Sequence, residues 1–370
     1  MMKKYIVVER RNDFTHTAFA KAPGDVAKIA ARCGFEDFYI SVHKDDSRLN
    51  GRWQRLCFYF KCVINGFKVP RGSLFLVQHP MDKLFIGKYG LSLGLFFFRF
   101  LTKITKSKVI AIVHDLEDVR LWLINHNASR TTDTGRLNFV ADRIIVHNDK
   151  MKTWLINHGI SAQKLIVLGI FDYLADGYAP PSNLPFRRCA TIAGNMRLDK
   201  SSYLTKLKSI EDVEWHLYGN RYDESACGAP NVFYHGVFPA EELLSQMKNG
   251  FGIVWDGNSI ETCSGNTGAY LKVNNPHKLS MYIAAGLPVI IWDQSACADF
   301  VRKNGLGLTV SSLHDVGKIL NSISEEQYMG LRKNVLLFSG KLRGGHFTSL
   351  ALEQSVQSFF HAKNANDTCF

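Results

Sequence analysis

Short apolar runs alternate with segments of helical period along the whole chain. KYIVVE (4–9) precedes residues 25–34, where Val26, Ile29, Ala30 and Cys33 fall at i, i+3, i+4 and i+7 and predict an amphipathic helix. FYISVH (38–43) follows, then a helical pattern over 52–66, SLFLVQ (73–78), KVIAIVH (108–114), DRIIVH (142–147), a helix near 149–158 and KLIVLGI (164–170). β-Branched runs separated by helices predict parallel strands covered on both faces. Residues 1–175 therefore read as one doubly wound α/β domain.

The pattern breaks at DGYAPPSNLPFRR (176–188), which holds three of the ten prolines and has no periodicity, as a linker does. It then restarts with ATIAGN (190–195), VEWHLYGN (213–220), NVFYHGV (231–237), GFGIVWDG (250–257), LPVIIWD (287–293) and GLTV (307–310). Pro239 predicts a helix start, and Ser324 with Gln327 has the spacing of a capping box. A second Rossmann-like domain is expected over 189–345, with a terminal helix and tail over 346–370. Two such domains face each other across a cleft, and ligands of open α/β sheets bind beyond the carboxyl ends of the strands.

Length supports this division, since 370 residues is roughly twice the usual domain size. With 46% apolar and 21% charged residues, the chain has the composition of a globular protein rather than a disordered or fibrous one. Its 45 basic residues against 33 acidic ones leave a formal charge of +12, which suits an anionic partner without choosing among nucleotide phosphate, nucleic acid and lipid. The eight cysteines form no CxxC pair and read as reduced thiols of a cytosolic protein. The N-terminal MMKKYIVVERRNDF reads as a first strand and not a signal peptide. The longest apolar stretch, Leu91 to Phe98, is far short of the roughly 20 residues of a membrane span.

Functional side chains are expected just after the strands. In AGNMRLDK, Gly194 and Asn195 suit a tight turn, and Arg197 offers a planar fork for phosphate oxygens; a solvated arginine at a helix start has the same sequence. Tyr218 falls at a strand end, where its ring could stack on a base or pack at the core edge. Pro276 and Gly286 bracket a helix with Lys278 in its first turn, where backbone N–H groups and the helix dipole favour an anion and a lysine calls for one. In the first half, AIVHDLED places His114, Asp115, Glu117 and Asp118 after a strand, and VERRNDFTHT places Asp13, Thr15 and His16 after another. A carboxylate or histidine there could serve as general base on a hydroxyl, or belong to an acidic turn. Asp115 with Glu117 also mimics a DxD-like metal pair, a reading that leaves the second αβ half unexplained.

The block IVWDGNSIETCSG…YLKVNNPHKLSMYIAAGLPVIIWD…ADFVRKNGLG resembles bacterial galactofuranosyltransferases of O-antigen synthesis and the related glucosyltransferases that extend glycans on streptococcal adhesins. HD after the fourth strand, HN after the fifth, IFDYL before the linker and AGN after it extend the resemblance over most of the chain. It implies a GT-B fold, a UDP-sugar donor on the C-terminal domain, and neither cofactor nor metal. Arg197, Tyr218 and Lys278 match positions that the family uses for the nucleotide, with Asn195 and Asn275 beside them. One departure stands out. Many GT-B enzymes carry a ribose-gripping glutamate where this chain has Met281, so Glu261, Asp256 or Asp299 is left to take that role. The resemblance to enzymes forming β-linked galactofuranose implies an inverting transfer, with Asp115 or Asp13 as base and His16 nearby.

Other classes fit less well. The first strand is followed by ERRNDFTH, without the GxGxxG of a nicotinamide dehydrogenase. Basic and aromatic residues are not interleaved as in a nucleic-acid module. A GT-B-shaped sugar-nucleotide epimerase is the nearest enzymatic rival. The expected partners are the UDP-sugar and a glycan or lipid-linked oligosaccharide acceptor; a homo-oligomer stays open. KLFIGKYGLSLGLFFFRFLTKITKSKV (83–109) is the most hydrophobic segment and carries Lys88, Arg99, Lys103, Lys106 and Lys108. It fits either a buried helix or one that docks on an anionic inner leaflet.

Overall fold

The computed structural model describes residues 2–10, 18–41, 69–80, 86–87, 90–91, 93–125, 132–248 and 250–367. Asp13, Thr15, His16, Lys88 and the helical pattern over 52–66 lie outside them.

Two six-stranded, all-parallel sheets organise the chain. The first contains β1 (Lys4–Arg10), β2 (Glu36–Ser41), β3 (Leu74–His79), β4 (Lys108–Val113), β5 (Arg143–Val146) and β6 (Leu165–Val167), in the order β2-β1-β3-β4-β5-β6. The second contains β7 (Cys189–Ala193), β8 (Glu214–Tyr218), β9 (Val232–Tyr234), β10 (Phe251–Val254), β11 (Val289–Trp292) and β12 (Gly307–Val310), in the order β9-β8-β7-β10-β11-β12. The first order is of the flavodoxin type and the second of the Rossmann type. Each reverses direction once, between β1 and β3 and between β7 and β10. A crevice opens at such a reversal because the crossovers on its two sides leave toward opposite faces.

Central strands are buried on both faces, which is why they read as continuous apolar runs: Val109 to Val113 and Val289 to Ile291 are all fully buried. The helices cover them. α1 (Ala18–Arg32) lays Val26, Ile29 and Ala30 on the first sheet, matching the i, i+3, i+4 pattern. α2 (Leu93–Ile104) follows β3, α3 (Glu117–Asn125) and α4 (Thr132–Val140) follow β4, and α5 (Asp149–Asn157) follows β5. In the second half, α6 (Gly265–Tyr270) and α7 (His277–Ala284) lie between β10 and β11. α8 (Glu325–Gly344) begins at the capping box that the Ser-x-x-Gln spacing predicts: Ser324 Oγ accepts from the Gln327 amide at 3.1 Å, and Gln327 Oε1 accepts from the Ser324 amide at 2.9 Å.

Gly345, in the left-handed region at φ +82°, ends α8 and turns the chain into α9 (His346–Asp367). α9 returns to the first sheet, where Ala351 and Leu352 share a core with Ile6, Val26, Leu74 and Ile110. The linker is held rather than loose. Arg343 Nη1 donates to the Tyr178 carbonyl and Arg332 Nη2 to the Pro181 carbonyl, both from α8.

Candidate functional site

Several of the residues singled out in the second half gather at the reversal between β7 and β10. Gly194 and Asn195 follow β7; Trp255 and Asp256 follow β10. Lys278, in the first turn of α7, donates to the Trp255 carbonyl at 2.9 Å and to Asp256 Oδ1 at 2.8 Å. The ammonium thus spans from α7 to the end of β10, and its side chain is 20% exposed. The anion that a first-turn lysine calls for is supplied, in the free protein, by Asp256.

α7 can lie this close because Gly252 in β10 has no side chain; a Cβ there would stand 2.2 Å from the Tyr282 ring. Tyr282 in turn accepts from the Ala193 amide at 2.7 Å, which pins α7 to the end of β7. The loop after Asp256 folds back tightly. Gly257 has φ +111°, and a Cβ on it would meet the Ser264 carbonyl oxygen at 2.1 Å.

Arg197 precedes a short helical turn, Leu198–Ser201, and forks onto Asp199 with Nε 2.7 Å from Oδ1. Asn195 Oδ1 accepts from the Arg197 amide at 3.1 Å and sets the turn. The Arg197 side chain is 41% exposed and free to swing, since an exposed pair like this one is held by about 1 kcal/mol or less. Thr267 Oγ1 donates to the Lys200 carbonyl at 3.0 Å, tying this loop to α6.

Tyr218 is 8% exposed, and its ring is already stacked on His235 at 4.5 Å with its hydroxyl on the Gln246 carbonyl at 3.3 Å. In the free protein it serves the core edge. Of the three acids left for the ribose, Asp256 holds Lys278, Glu261 pairs with His314 at 2.9 Å, and Asp299 pairs with Arg302. Met281 is 7% exposed and packs among Leu279, Tyr282 and Val335.

On the first domain, His79 ends β3, His114 and His147 follow β4 and β5, and His277 opens α7 opposite them. Each strand end delivers one imidazole to the same region. His114 Nε2 pairs with Gln78 Oε1 at 2.7 Å, while its Nδ1 and both nitrogens of His79 are buried without hydrogen-bond partners. His147 is fixed as a tautomer: the Asn275 amide donates to Nδ1 at 3.0 Å, so Nε2–H donates to the Val113 carbonyl at 3.0 Å. Burial keeps three of them neutral, lowering His147 and His277 to about 4 and, with help from the neighbouring imidazoles, His114 to about 3.

Asp115 projects from the loop before α3. Its Oδ2 meets Arg120 Nη2 at 2.7 Å, and its Oδ1 accepts from the Leu116 amide at 3.0 Å. Arg120 also reaches Glu117 at 2.9 Å and lies 4.7 Å over the Tyr270 ring of α6. The Tyr270 hydroxyl accepts from the Leu116 amide at 2.9 Å, so the Asp115 loop is a contact between the domains. Asp118 takes a different part, accepting from the Thr134 amide at 2.8 Å to start α4.

Asn275 joins the domains from the other side. Its Nδ2 donates to the His147 carbonyl at 2.8 Å and the Gly169 carbonyl at 2.9 Å, and its Oδ1 accepts from Asn148 Nδ2 at 2.7 Å. Asn148 adds a bond to the Val273 carbonyl at 2.9 Å and caps α5 through the Met151 amide. In the sequence, only the HN dipeptide after β5 points to His147 and Asn148 as partners of Asn275. Among the described residues, no three His, Cys, Asp or Glu side chains stand close enough to hold a metal ion, and no helix is long and apolar enough to cross a membrane.

Comparison with known proteins places this architecture. Residues 3–170 match the glucosyltransferase 3-like N-terminal domain and residues 190–355 the glucosyltransferase 3-like C-terminal domain. The β-1,6-galactofuranosyltransferase WbbI of Escherichia coli K12 is 32% identical over 70% of this chain and 74% of its own. The chain belongs to the glucosyltransferase 3-like family. Glucosyltransferase 3 of Streptococcus gordonii, a further member, is 25% identical over 90% of this chain and 93% of its own. Among solved structures, Anabaena HepE in complex with UDP and glucose superposes with a TM-score of 0.59 at 10% identity, covering 97% of this chain and 100% of that one. The relatives are glycosyltransferases, and the two parallel six-stranded sheets have the GT-B architecture.

Proposed function

We propose that the protein transfers a hexose from a UDP-sugar to a hydroxyl of a glycan or lipid-linked oligosaccharide, in the assembly of a surface polysaccharide such as O-antigen. The observation that carries this reading is Lys278, a first-turn lysine at the reversal point of the Rossmann-ordered sheet, with Arg197 on the adjoining strand end. Both cations suit a diphosphate, and both neutralise charge that builds on the UDP leaving group without recourse to a metal.

Galactofuranose is the favoured sugar, because the relative at 32% identity is a galactofuranosyltransferase. Glucose is the second reading, favoured by the 90% coverage of the match to Glucosyltransferase 3. Transfer is inverting in this scheme. The acceptor oxygen attacks the anomeric carbon, the bond to the UDP oxygen breaks, and a carboxylate takes the hydroxyl proton. Asp115 is the described candidate for that base; Asp13 and His16 are the others. The enzyme would act on the cytoplasmic side of the membrane.

Labelled UDP-galactofuranose and UDP-glucose, each incubated with and without a glycan acceptor, test the reading. Acceptor-dependent transfer supports it. Sugar-nucleotide isomerisation without acceptor overturns it in favour of an epimerase.

A further inference from the structure

α2 is apolar on two sides, and only one is used by the core. Leu95 and Phe98 face inward, fully buried or nearly so, against β3 and β4. On the opposite side Phe96, Phe100 and Ile104 recur at i, i+4 and i+8, and they are 57%, 50% and 45% exposed. Three large apolar side chains on adjacent turns make a continuous stripe. Singly exposed residues are ordinary, but an aligned row of them marks a surface that meets something.

The surroundings of the stripe are cationic. Lys103, Lys106 and Lys108 are exposed and form no ion pair among the described residues. Asp142, close by, is already taken: it pairs with Arg99 at 3.3 Å and accepts from the Val109 amide at 2.9 Å. Arg99 and Arg143 both act on Lys164 around this acid.

We propose that this face, the outer side of α2, docks the protein on an anionic lipid bilayer. Two features select lipid over a second protein copy. Pairing two copies through this face would bring like charges together, whereas an anionic headgroup layer complements them. An apolar row flanked by lysines is also the arrangement in which rings enter the acyl boundary while ammonium groups stay among the headgroups. The fold gives the docking a direction. α2 runs antiparallel to the strands, so its start, near Phe96, lies toward their carboxyl ends and its finish near their amino ends. A bilayer along the stripe therefore lies parallel to the strands, and the cleft at their carboxyl ends opens at the level of the membrane surface.

Co-sedimentation of the full chain with vesicles of phosphatidylglycerol and phosphatidylethanolamine, and with phosphatidylcholine vesicles alone, tests this. Binding is expected to the anionic vesicles only and to fall steeply as salt rises from about 0.1 to 0.5 M. The triple variants Phe96→Ser/Phe100→Ser/Ile104→Ser and Lys103→Gln/Lys106→Gln/Lys108→Gln should each reduce the bound fraction by about tenfold or more. Circular dichroism melts establish that each variant folds, and the lysine variant stands alone if the serine variant does not. Equal recovery in the supernatant with and without anionic vesicles overturns the proposal. So does a dimer by light scattering that the serine variant dissociates.

Discussion

Lys278 Nζ lies 2.8 Å from Asp256 Oδ1, so in the free protein a carboxylate from the end of β10 occupies the cation that the helix N-terminus presents. The pair is only partly exposed, and the lysine also holds the Trp255 carbonyl. On the proposed function, a diphosphate arriving at this mouth meets a lysine already positioned, and must compete with Asp256 for it.

Removing either cation tests the donor assignment. Lys278→Ala and Arg197→Ala should each weaken UDP binding by roughly 1.5–3 kcal/mol, the range for a charge-assisted hydrogen bond. Isothermal calorimetry reads this directly, and unchanged affinity in both variants would sink the assignment. Asp256→Asn separates two roles for that residue. A severalfold gain in UDP affinity marks it as a competitor for Lys278, and a loss of tenfold or more marks it as a nucleotide ligand.

Asp115→Asn addresses the base. Turnover is expected to drop by about 100-fold or more with UDP affinity unchanged, as for loss of a general base. Because Asp115 also anchors Arg120, the comparison variant is Arg120→Gln, which removes the ion pair and keeps the carboxylate. If Arg120→Gln costs as much turnover as Asp115→Asn, the carboxylate acts by holding the loop and not by taking a proton. Proton NMR of the product settles the stereochemistry, and retention of the donor's anomeric configuration would exclude an inverting transfer.

Asn275→Ala should be strongly destabilising. The side chain is 4% exposed and bonds His147, Gly169 and Asn148, so truncation leaves several buried partners unsatisfied. A loss of about 2–4 kcal/mol is expected by urea denaturation. Asn148→Ala removes the other half of the pair and the α5 cap, and the double variant should cost less than the sum of the two.

Acid should weaken the protein. Burial lowers His147 to about 4 in the folded state, against about 6.5 in the unfolded chain. A depressed histidine contributes stability that is complete above the unfolded value and lost as pH falls through the folded one. The window is therefore pH 6.5 to 4, and at pH 5 the loss from His147 alone is about 2 kcal/mol. His277 and His114 act in the same direction. Asp172 opposes them. Burial raises its carboxyl to about 6 despite the Phe347 and Thr348 amides it accepts from, so its contribution is present in acid and lost as pH rises through 6. Burial raises Asp25 and Asp118 as well, but by less than Asp172, so the three rings prevail and the melting temperature should fall between pH 7.5 and pH 5. His147→Gln should flatten that slope, and a melt that is pH-independent in the parent protein would refute the reading.

Much of the architecture is set locally and was legible in the sequence. Apolar runs of strand length, helical spacing around Val26 and Ile29, the Ser324–Gln327 box and the proline-rich break at 176–188 each depend on residues a few positions apart. The alternation of strand and helix then permits little but parallel sheets. The motif after each strand likewise located Arg197 and Asp115 at strand ends, because chain direction alone puts those positions on one side of a sheet, and Pro276 with Gly286 located Lys278 in a first helical turn.

Tertiary structure decided what those residues touch. Asp256 is 22 positions from Lys278, Asn148 is 127 from Asn275, and Tyr270 is 154 from Leu116; no periodicity carries information over such distances. The strand order of the first sheet, the return of α9 to it, the stacking that occupies Tyr218, and the outer face of α2 that stays open to solvent are of the same kind. Each depends on which surfaces meet when two separately patterned domains close on one another. A single residue's chemistry states only what it can pair with, and the packing of the whole chain selects the partner.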